Sequence, residues 1–293
     1  MLNYQSVAEI VELAKDGKLS DVVLADQSAY MEIPESEILE RMKNTLDVMR
    51  NSAEEGLKAG LRSVSDLSGG DGHRMYQFAS KAMPLSGLFA AKATALAIGI
   101  QEYNAAMGKI VAAPTAGSCG ILPAGVLTMM EERGASEESA IKALITAGAI
   151  GMVIATNATV SGAAGGCQAE CGSAAAMTGA ALVEMMGGTA QMSAHAAAIA
   201  LQNQMGLVCD PVAGLVEVPC ILRNGGGISI AINAADLAMA GVESVIPIDE
   251  VIIAMGEVGK AIPESLRETS LGGLAATPTG IAIKERLFGD NQG

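Results

Sequence analysis

The 293-residue sequence contains no tryptophan, and aromatic residues make up only 2% of it although hydrophobic residues reach 50%. Large rings therefore cannot fill the interior. A core of this composition is packed from alanine, glycine, methionine and the aliphatic side chains, and small side chains let helices approach one another closely.

Positive charge is also scarce, with 18 lysines and arginines against 32 acidic residues and a net charge of −14. Because no basic run is present, nucleic acid and anionic membrane surfaces are excluded as expected partners. The first residues lack a cationic segment followed by an apolar block, so we expect no secretory signal. The five cysteines, an odd number, indicate unpaired thiols in a reducing compartment, and we expect a cytoplasmic protein.

Strand signals are few, since only short runs such as 206–208 and 215–218 carry them. The sequence therefore predicts a mainly α fold forming one large helical domain. Ser6 with Glu9 matches a capping box, and Ser136 is expected to cap another helix. Apolar spacing predicts further helices. These cover 35–61, 74–107, 168–186, 193–205, 228–240, 249–258 and 263–269, with a loop at 68–72 and a turn at 113–123.

One uncharged stretch, 143–166, is long enough to span a membrane. It consists mainly of alanine, glycine, threonine and serine, contains Asn157, and has no basic or aromatic residues at its ends. We therefore expect a buried core helix there.

No lysine lies between Lys142 and Lys260. The central region therefore cannot supply the Schiff-base lysine that pyridoxal phosphate requires, even though the glycines at 225–227 resemble a phosphate-binding loop. We expect no pyridoxal phosphate.

The cysteines do not form the paired C-x-x-C spacing of zinc ribbons, nor a ferredoxin run. Cys167, Cys209 and Cys220 lie instead on bends rich in glycine or proline. Glycine allows a bulky group to approach the backbone, and proline stiffens a loop. These three cysteines are candidate metal ligands. The alternative is that they are ordinary buried thiols in a core of small residues.

The other two cysteines have different settings. Cys171 follows Cys167 by one helical turn, so it is either a fourth ligand or a small packing residue. Cys119 lies in a turn, 114–120, whose backbone N–H groups and hydroxyls suit a carboxylate.

Several polar residues are candidates for binding a small molecule: Thr115, Gly117, Ser118 and Asn157. Each turn residue could equally cap its own turn, and Asn157 could be a buried amide that bonds within its own segment. Only two histidines are present. His195, on a predicted helix, is a weak candidate for a catalytic base, although a local hydrogen bond is the simpler interpretation. His73 is expected to lie in a loop.

Three long motifs resemble those of the α subunit of iron–sulfur L-serine dehydratases: Pro-Thr-Ala-Gly-Ser-Cys-Gly-Ile at 114–121, Gly-Gly-Cys-Gln-Ala-Glu at 165–170, and Cys-Asp-Pro-Val-Ala-Gly-Leu-Val-Glu-Val-Pro-Cys at 209–220. The resemblance extends across nearly the whole chain. It implies a [4Fe-4S] cluster held by Cys167, Cys209 and Cys220. It also implies a largely helical catalytic domain. From the chain length we expect an N-terminal helical part, 1–65, packed on the same domain as the catalytic part, 66–293.

The resemblance further implies dehydration of L-serine to pyruvate and ammonia, with an open iron acting as Lewis acid. The family's histidine-bearing motif belongs to a β part, so we expect a separate β subunit to form a heterodimer or larger assembly and to supply the base. Two alternatives stay open. One is a related iron–sulfur cysteine desulfidase. The other is a non-catalytic zinc-binding subunit that takes its fourth ligand from Cys119, Cys171 or His195.

Overall fold

The computed structural model describes residues 4–15 and 17–289, and these contain thirteen α-helices and no strand. The predicted mainly α, single-domain fold is confirmed. The helices are α1 (Val7–Ala14), α2 (Leu19–Met31), α3 (Glu35–Gly56), α4 (Asp71–Lys81), α5 (Gly87–Ala105), α6 (Ile121–Arg133), α7 (Glu137–Asn157), α8 (Gly162–Gly165), α9 (Ser173–Met185), α10 (Ala190–Gln204), α11 (Cys220–Met239), α12 (Ile248–Ala261) and α13 (Pro278–Phe288).

Helix α9 lies at the centre, packed against α6, α7, α10 and α11. It is rich in alanine and almost wholly buried, because a helix that is apolar on every side is stable only inside the fold. Among the described residues, α7 is the one helix with the length and composition to cross a membrane. Its most apolar window is 61% buried by contacts that include α2, α3 and α9, as expected for a core helix.

The N-terminal helices share the main core. Ile10, Leu19 and Leu46 are fully shielded from solvent and belong to the same apolar cluster as Ile150 of α7. Both predicted caps are confirmed: Ser6 and Glu9 form a capping box, and the Ser136 side chain accepts from the backbone N–H of the third helical residue. The boundary that divides the domain into an N-terminal part, 1–65, and a catalytic part, 66–293, stays a prediction.

Helices α3, α4 and α5 cross at three glycines. A Cβ atom added to Gly56 would lie 2.3 Å from the Gly99 carbonyl oxygen, and one added to Gly72 would lie 2.5 Å from Gly99 Cα. Backbone cannot yield at such distances without moving a whole helix. The close crossing of these helices therefore requires residues without a side chain at these positions.

We expect Gly56→Ala to lower the free energy of unfolding by about 1–3 kcal/mol, because the added methyl group overpacks this crossing. Gly148→Ala is the matched control, since Gly148 is an exposed residue of α7 with no atom within 4 Å of the added Cβ. That substitution should raise stability by up to about 1 kcal/mol through helix propensity. Urea denaturation of both variants measures the difference. Equal effects would show that the crossing has room for a methyl group.

Several predicted boundaries were wrong. Helix α2 was not predicted, and the pattern over 74–107 is divided into α4 and α5 around Pro84. Because α4 begins at Asp71, His73 lies in its first turn, where Nδ1 is 2.8 Å from the Leu57 carbonyl oxygen. Over 263–269 only the short turn Glu264–Leu266 is helical.

The start of α11 also differs from the prediction. The helix begins at Cys220, eight residues before the predicted start at 228, so the glycines at 225–227 lie inside it. Their N–H groups are part of a helix and form no phosphate-binding loop. Cys220 is therefore the first residue of a helix, whereas Cys209 lies on a loop as predicted.

Candidate metal and substrate site

Cys167 and Cys209 are brought together by a close backbone approach. Gly166 has φ +78°, and a Cβ atom there would lie 2.9 Å from the Leu207 carbonyl oxygen. The same carbonyl accepts the backbone N–H of Gln168 at 2.9 Å. Glycine is therefore needed before Cys167 for the chain to pass beside the segment that leads to Cys209.

A cluster of thiols and one carboxylate results. The ligand atoms of Cys167, Glu170 and Cys209 all lie within 4.8 Å of one another, and Cys171 Sγ is 3.7 Å from Cys167 Sγ. The Cys167 and Cys209 side chains are 1% and 3% exposed. Buried, soft sulfur donors of this kind fit zinc or an iron–sulfur cluster.

Cys167 is the thiol that ionises most readily. Hydrogen bonds from the Cys171 and Cys209 thiols lower its pKa well below the ordinary value, and the nearby Arg223 guanidinium lowers it further. The pKa values of Cys171 and Cys209 are raised, because each donates to Cys167 and is itself buried. A thiolate at Cys167 is the form that binds metal.

Arg223 ties the Cys209 loop to the start of α11. Its Nη1 donates to the Val208 carbonyl at 2.8 Å, and its Nη2 donates to Asp210 Oδ1 at 2.8 Å. Asp210 Oδ2 accepts the Leu274 N–H at 2.7 Å. One ion pair therefore holds together the loop after Cys209, the first turn of α11 and the segment near residue 274.

Asn224 fixes Cys220 to the 114–120 turn. Its side-chain amide donates to the carbonyls of Cys220 and Gly117 at 2.9 and 2.8 Å, and its oxygen accepts the Gly120 N–H at 2.9 Å. Burial, followed by the charges of Cys167 and Glu170, raises the pKa of Cys220 to about 12. Cys220 lies outside the group of Cys167, Glu170 and Cys209 whose ligand atoms are all within 4.8 Å of one another.

Glu170 links the thiols to the predicted small-molecule turn. Thr115 Oγ1 donates to its Oε1 at 2.8 Å and lies 3.1 Å from Ser118 Oγ. A Cβ atom on Gly117 would lie 3.2 Å from Oε1, and one on Gly162 would lie 2.6 Å from Oε2. Glycines on both sides thus form a cradle around this carboxylate.

The sequence reasoning did not single out Glu170. It is the only charged residue between Lys142 and Glu184, and a lone carboxylate in such a segment is a signal for a site. Burial, followed by the charge of Cys167, raises its pKa to about 7.

The buried carboxylate of Glu217 holds the glycine-rich loop that precedes α4. It is 5% exposed and accepts the hydroxyls of Ser65 and Ser68, both at 2.6 Å. Because Glu217 lies between Cys209 and Cys220, it fastens the 63–68 loop to the segment that joins these two cysteines.

Other candidates are not brought to the thiols. Asn157 is exposed at the end of α7 and donates to the Gln5 and Val153 carbonyls. The buried Cys119 thiol donates to Gln101 Oε1 at 3.0 Å.

Both ring nitrogens of His195 contact residues outside the thiol cluster. Its Nδ1 accepts the Ser244 N–H at 3.2 Å, and its Nε2 lies 3.1 Å from the Gln191 amide. It lies nine residues, or about 13 Å along α10, from Gln204, which packs near Gly172 beside Cys171.

The chain is similar to serine dehydratases over most of its length. The family model described as serine dehydratase alpha chain matches residues 14–275. The chain is 47% identical to the probable L-serine dehydratase, alpha chain, of Bacillus subtilis (strain 168), covering 98% of this chain and 96% of that protein. It is 46% identical to the L-serine dehydratase, alpha chain, of Peptoniphilus asaccharolyticus, covering 97% of each. The L-serine dehydratase TdcG of Escherichia coli (strain K12) is 45% identical over 61% of this chain and 40% of that longer protein.

Proposed function

The chain belongs to the serine dehydratase alpha chain family, and on that premise we propose that it is the cluster-bearing subunit of an L-serine dehydratase. The reaction removes the α-proton and the β-hydroxyl of L-serine as water, and the resulting aminoacrylate tautomerises and hydrolyses to pyruvate and ammonia. The observation that carries the proposal is the contact of Glu170 with both the thiol cluster and the Thr115 hydroxyl.

We propose that Cys167, Cys209 and Cys220 hold a [4Fe-4S] cluster. The buried thiols and the guanidinium beside Cys167 support an anionic, sulfur-ligated group. When bound, such a cluster supplies an iron without a protein ligand, a Lewis acid toward carboxylate and hydroxyl oxygens. The absence of lysine from 143–259 supports a reaction without pyridoxal phosphate.

The proposed role of this chain's own residues is to orient serine and to exclude water. The Thr115 and Ser118 hydroxyls, 3.1 Å apart, bind its polar groups, and Gly117 leaves room for them. The near-complete burial of the cysteines strengthens each electrostatic contact. His195 is bonded to Ser244, so the base that removes the α-proton is assigned to a partner.

We propose a β subunit as that partner and the cytoplasm as the location. Two similar proteins are named alpha chains, whereas the longer Escherichia coli protein carries an equivalent region within one chain. A base supplied by a second chain fits this division. Five free cysteines are compatible with a reducing compartment.

Anaerobic purification together with the partner tests this function. We expect about four irons and four acid-labile sulfides per chain, a broad visible absorption that changes when L-serine is added, and serine-dependent release of pyruvate and ammonia. Sulfide release from L-cysteine without ammonia release from serine would instead indicate a desulfidase. Stoichiometric zinc with no iron and no pyruvate would indicate the structural zinc subunit.

A further inference from the structure

A cavity lies away from the thiol cluster, where α5, α6, α9 and α11 meet. Its volume is about 470 Å³, within the range of about 300–1,000 Å³ that is usual for small-molecule sites. Phe89, Leu182, Met185 and Ile232 form apolar walls. The cavity therefore has the size and lining of a binding site for a small apolar group.

The cavity is separate from the candidate active site. Cys220 is the first residue of α11, and Ile232 lies twelve residues later, about 18 Å along the helix axis. Leu182 is nine residues beyond Ser173, which begins α9. The two central helices that start beside the cysteines thus reach this cavity near their other ends.

Two opposite charges flank the apolar walls. Arg133 and Asp236 both line the cavity at its exposed edge, and within the described ranges they form no ion pair with each other. The Arg133 guanidinium stands 5.8 Å from the centroid of the Phe89 ring, which places it at the rim. Because the two charges are not paired with each other, each is available to a ligand.

We propose that this cavity binds a free α-amino acid with an apolar side chain. Its carboxylate pairs with the Arg133 guanidinium, whose planar fork suits a carboxylate. Its ammonium group pairs with Asp236, and its side chain lies against Phe89, Leu182 and Ile232. A zwitterion satisfies both charges at once. Serine is a poor ligand here, because its short polar side chain leaves the apolar walls uncovered.

Calorimetric titration of the assembled enzyme with L-leucine tests the proposal. Two analogues isolate its charges: 4-methylpentanoate lacks the ammonium group, and 3-methylbutylamine lacks the carboxylate. We expect Arg133→Gln to weaken leucine binding by about tenfold and to leave binding of the amine unchanged. Asp236→Asn should weaken leucine binding by a similar factor and leave binding of 4-methylpentanoate unchanged.

Arg62→Gln is the matched control, since it removes an exposed arginine outside the cavity, and thermal unfolding checks that each variant is folded. The proposal is overturned if saturating L-leucine gives no heat, if L-serine binds as tightly as L-leucine, or if both cavity variants bind like the control. It is also overturned if hydrogen exchange shows the cavity covered by another subunit in the ligand-free assembly.

Discussion

Replacing Cys220 with serine is expected to remove the iron and the acid-labile sulfide from the anaerobically purified enzyme. Serine-dependent pyruvate formation should fall by at least about a thousandfold, because the Lewis acid accounts for several kcal/mol of transition-state stabilisation. Cys171→Ser should leave both properties close to those of the parent. Iron and sulfide analysis, absorption spectra and pyruvate assays of the two variants measure the difference.

This pair of variants separates two ligand sets. The proposed set is Cys167, Cys209 and Cys220. The spacing of 3.7 Å between the Cys167 and Cys171 sulfurs is also close to the value of about 3.8 Å expected for a tetrahedral zinc with bonds of about 2.3 Å. A zinc site built on Cys167, Cys171, Cys209 and Glu170 would give the reverse result, with metal lost from Cys171→Ser and kept in Cys220→Ser.

Cys119→Ser is the control for the loss of a buried thiol. Cys119 is fully buried, but its thiol donates to Gln101 and is not part of either set. Its variant should retain iron, sulfide and activity. Loss of the cluster from all three variants would indicate general destabilisation rather than loss of a ligand.

The helical class could be predicted from composition, because strand signals are few and the small residues suit close helix packing. Individual boundaries depended on local signals where these were strong, as at the Ser6 and Ser136 caps. Helix α13 also begins with such a signal, Thr277 as cap and Pro278 in the first turn, yet no helix was predicted there. These two signals are sufficient to predict where α13 begins.

The first residue of α11 could not be predicted from the helix propensities of the local sequence. The glycines at 225–227 each disfavour a helix by about 1 kcal/mol, which moved the predicted start to 228. In the fold, a Cβ atom on Gly225 would lie 3.2 Å from Thr94, and one on Gly227 would lie 2.5 Å from Ile121. Close packing against α5 and α6 therefore outweighs propensity, and tertiary contacts of this kind have no signature in local sequence.

Only part of the site could be predicted, because local sequence indicates the bends that carry the cysteines but not the tertiary contacts between them. The glycine and proline bends indicated Cys167, Cys209 and Cys220; the structure brings the first two together with Glu170, and Cys220 lies outside that group. Their approach depends on the contact of Gly166 with Leu207, about 40 residues apart, and spacing along the chain does not reveal such a pairing. Glu170 was missed because it was read only as part of a motif.

Removing the Asp210 carboxylate should have the largest effect on stability. Asp210→Ala is expected to lower the free energy of unfolding by about 3 kcal/mol, because the largely buried Arg223 guanidinium loses its hydrogen-bonded carboxylate and the Leu274 N–H loses its acceptor. The side chains of the pair are only 4% and 16% exposed. Urea denaturation under anaerobic conditions measures the change.

Glu257→Ala is the matched control, because Glu257 and Lys260 form an ion pair of similar length, 2.7 Å, on an exposed helix surface. Its loss should change stability by less than about 0.5 kcal/mol. Asp210→Asn keeps the shape but not the charge and should give an intermediate value. Since Asp210 joins the Cys209 loop to the first turn of α11, the aspartate variants should also hold their iron less firmly than the control. If Asp210→Ala unfolded at the same urea concentration as Glu257→Ala, the Cys209 loop would be fixed by its backbone contacts with residues 266–268, and the buried pair would serve chiefly to set the charge near Cys167.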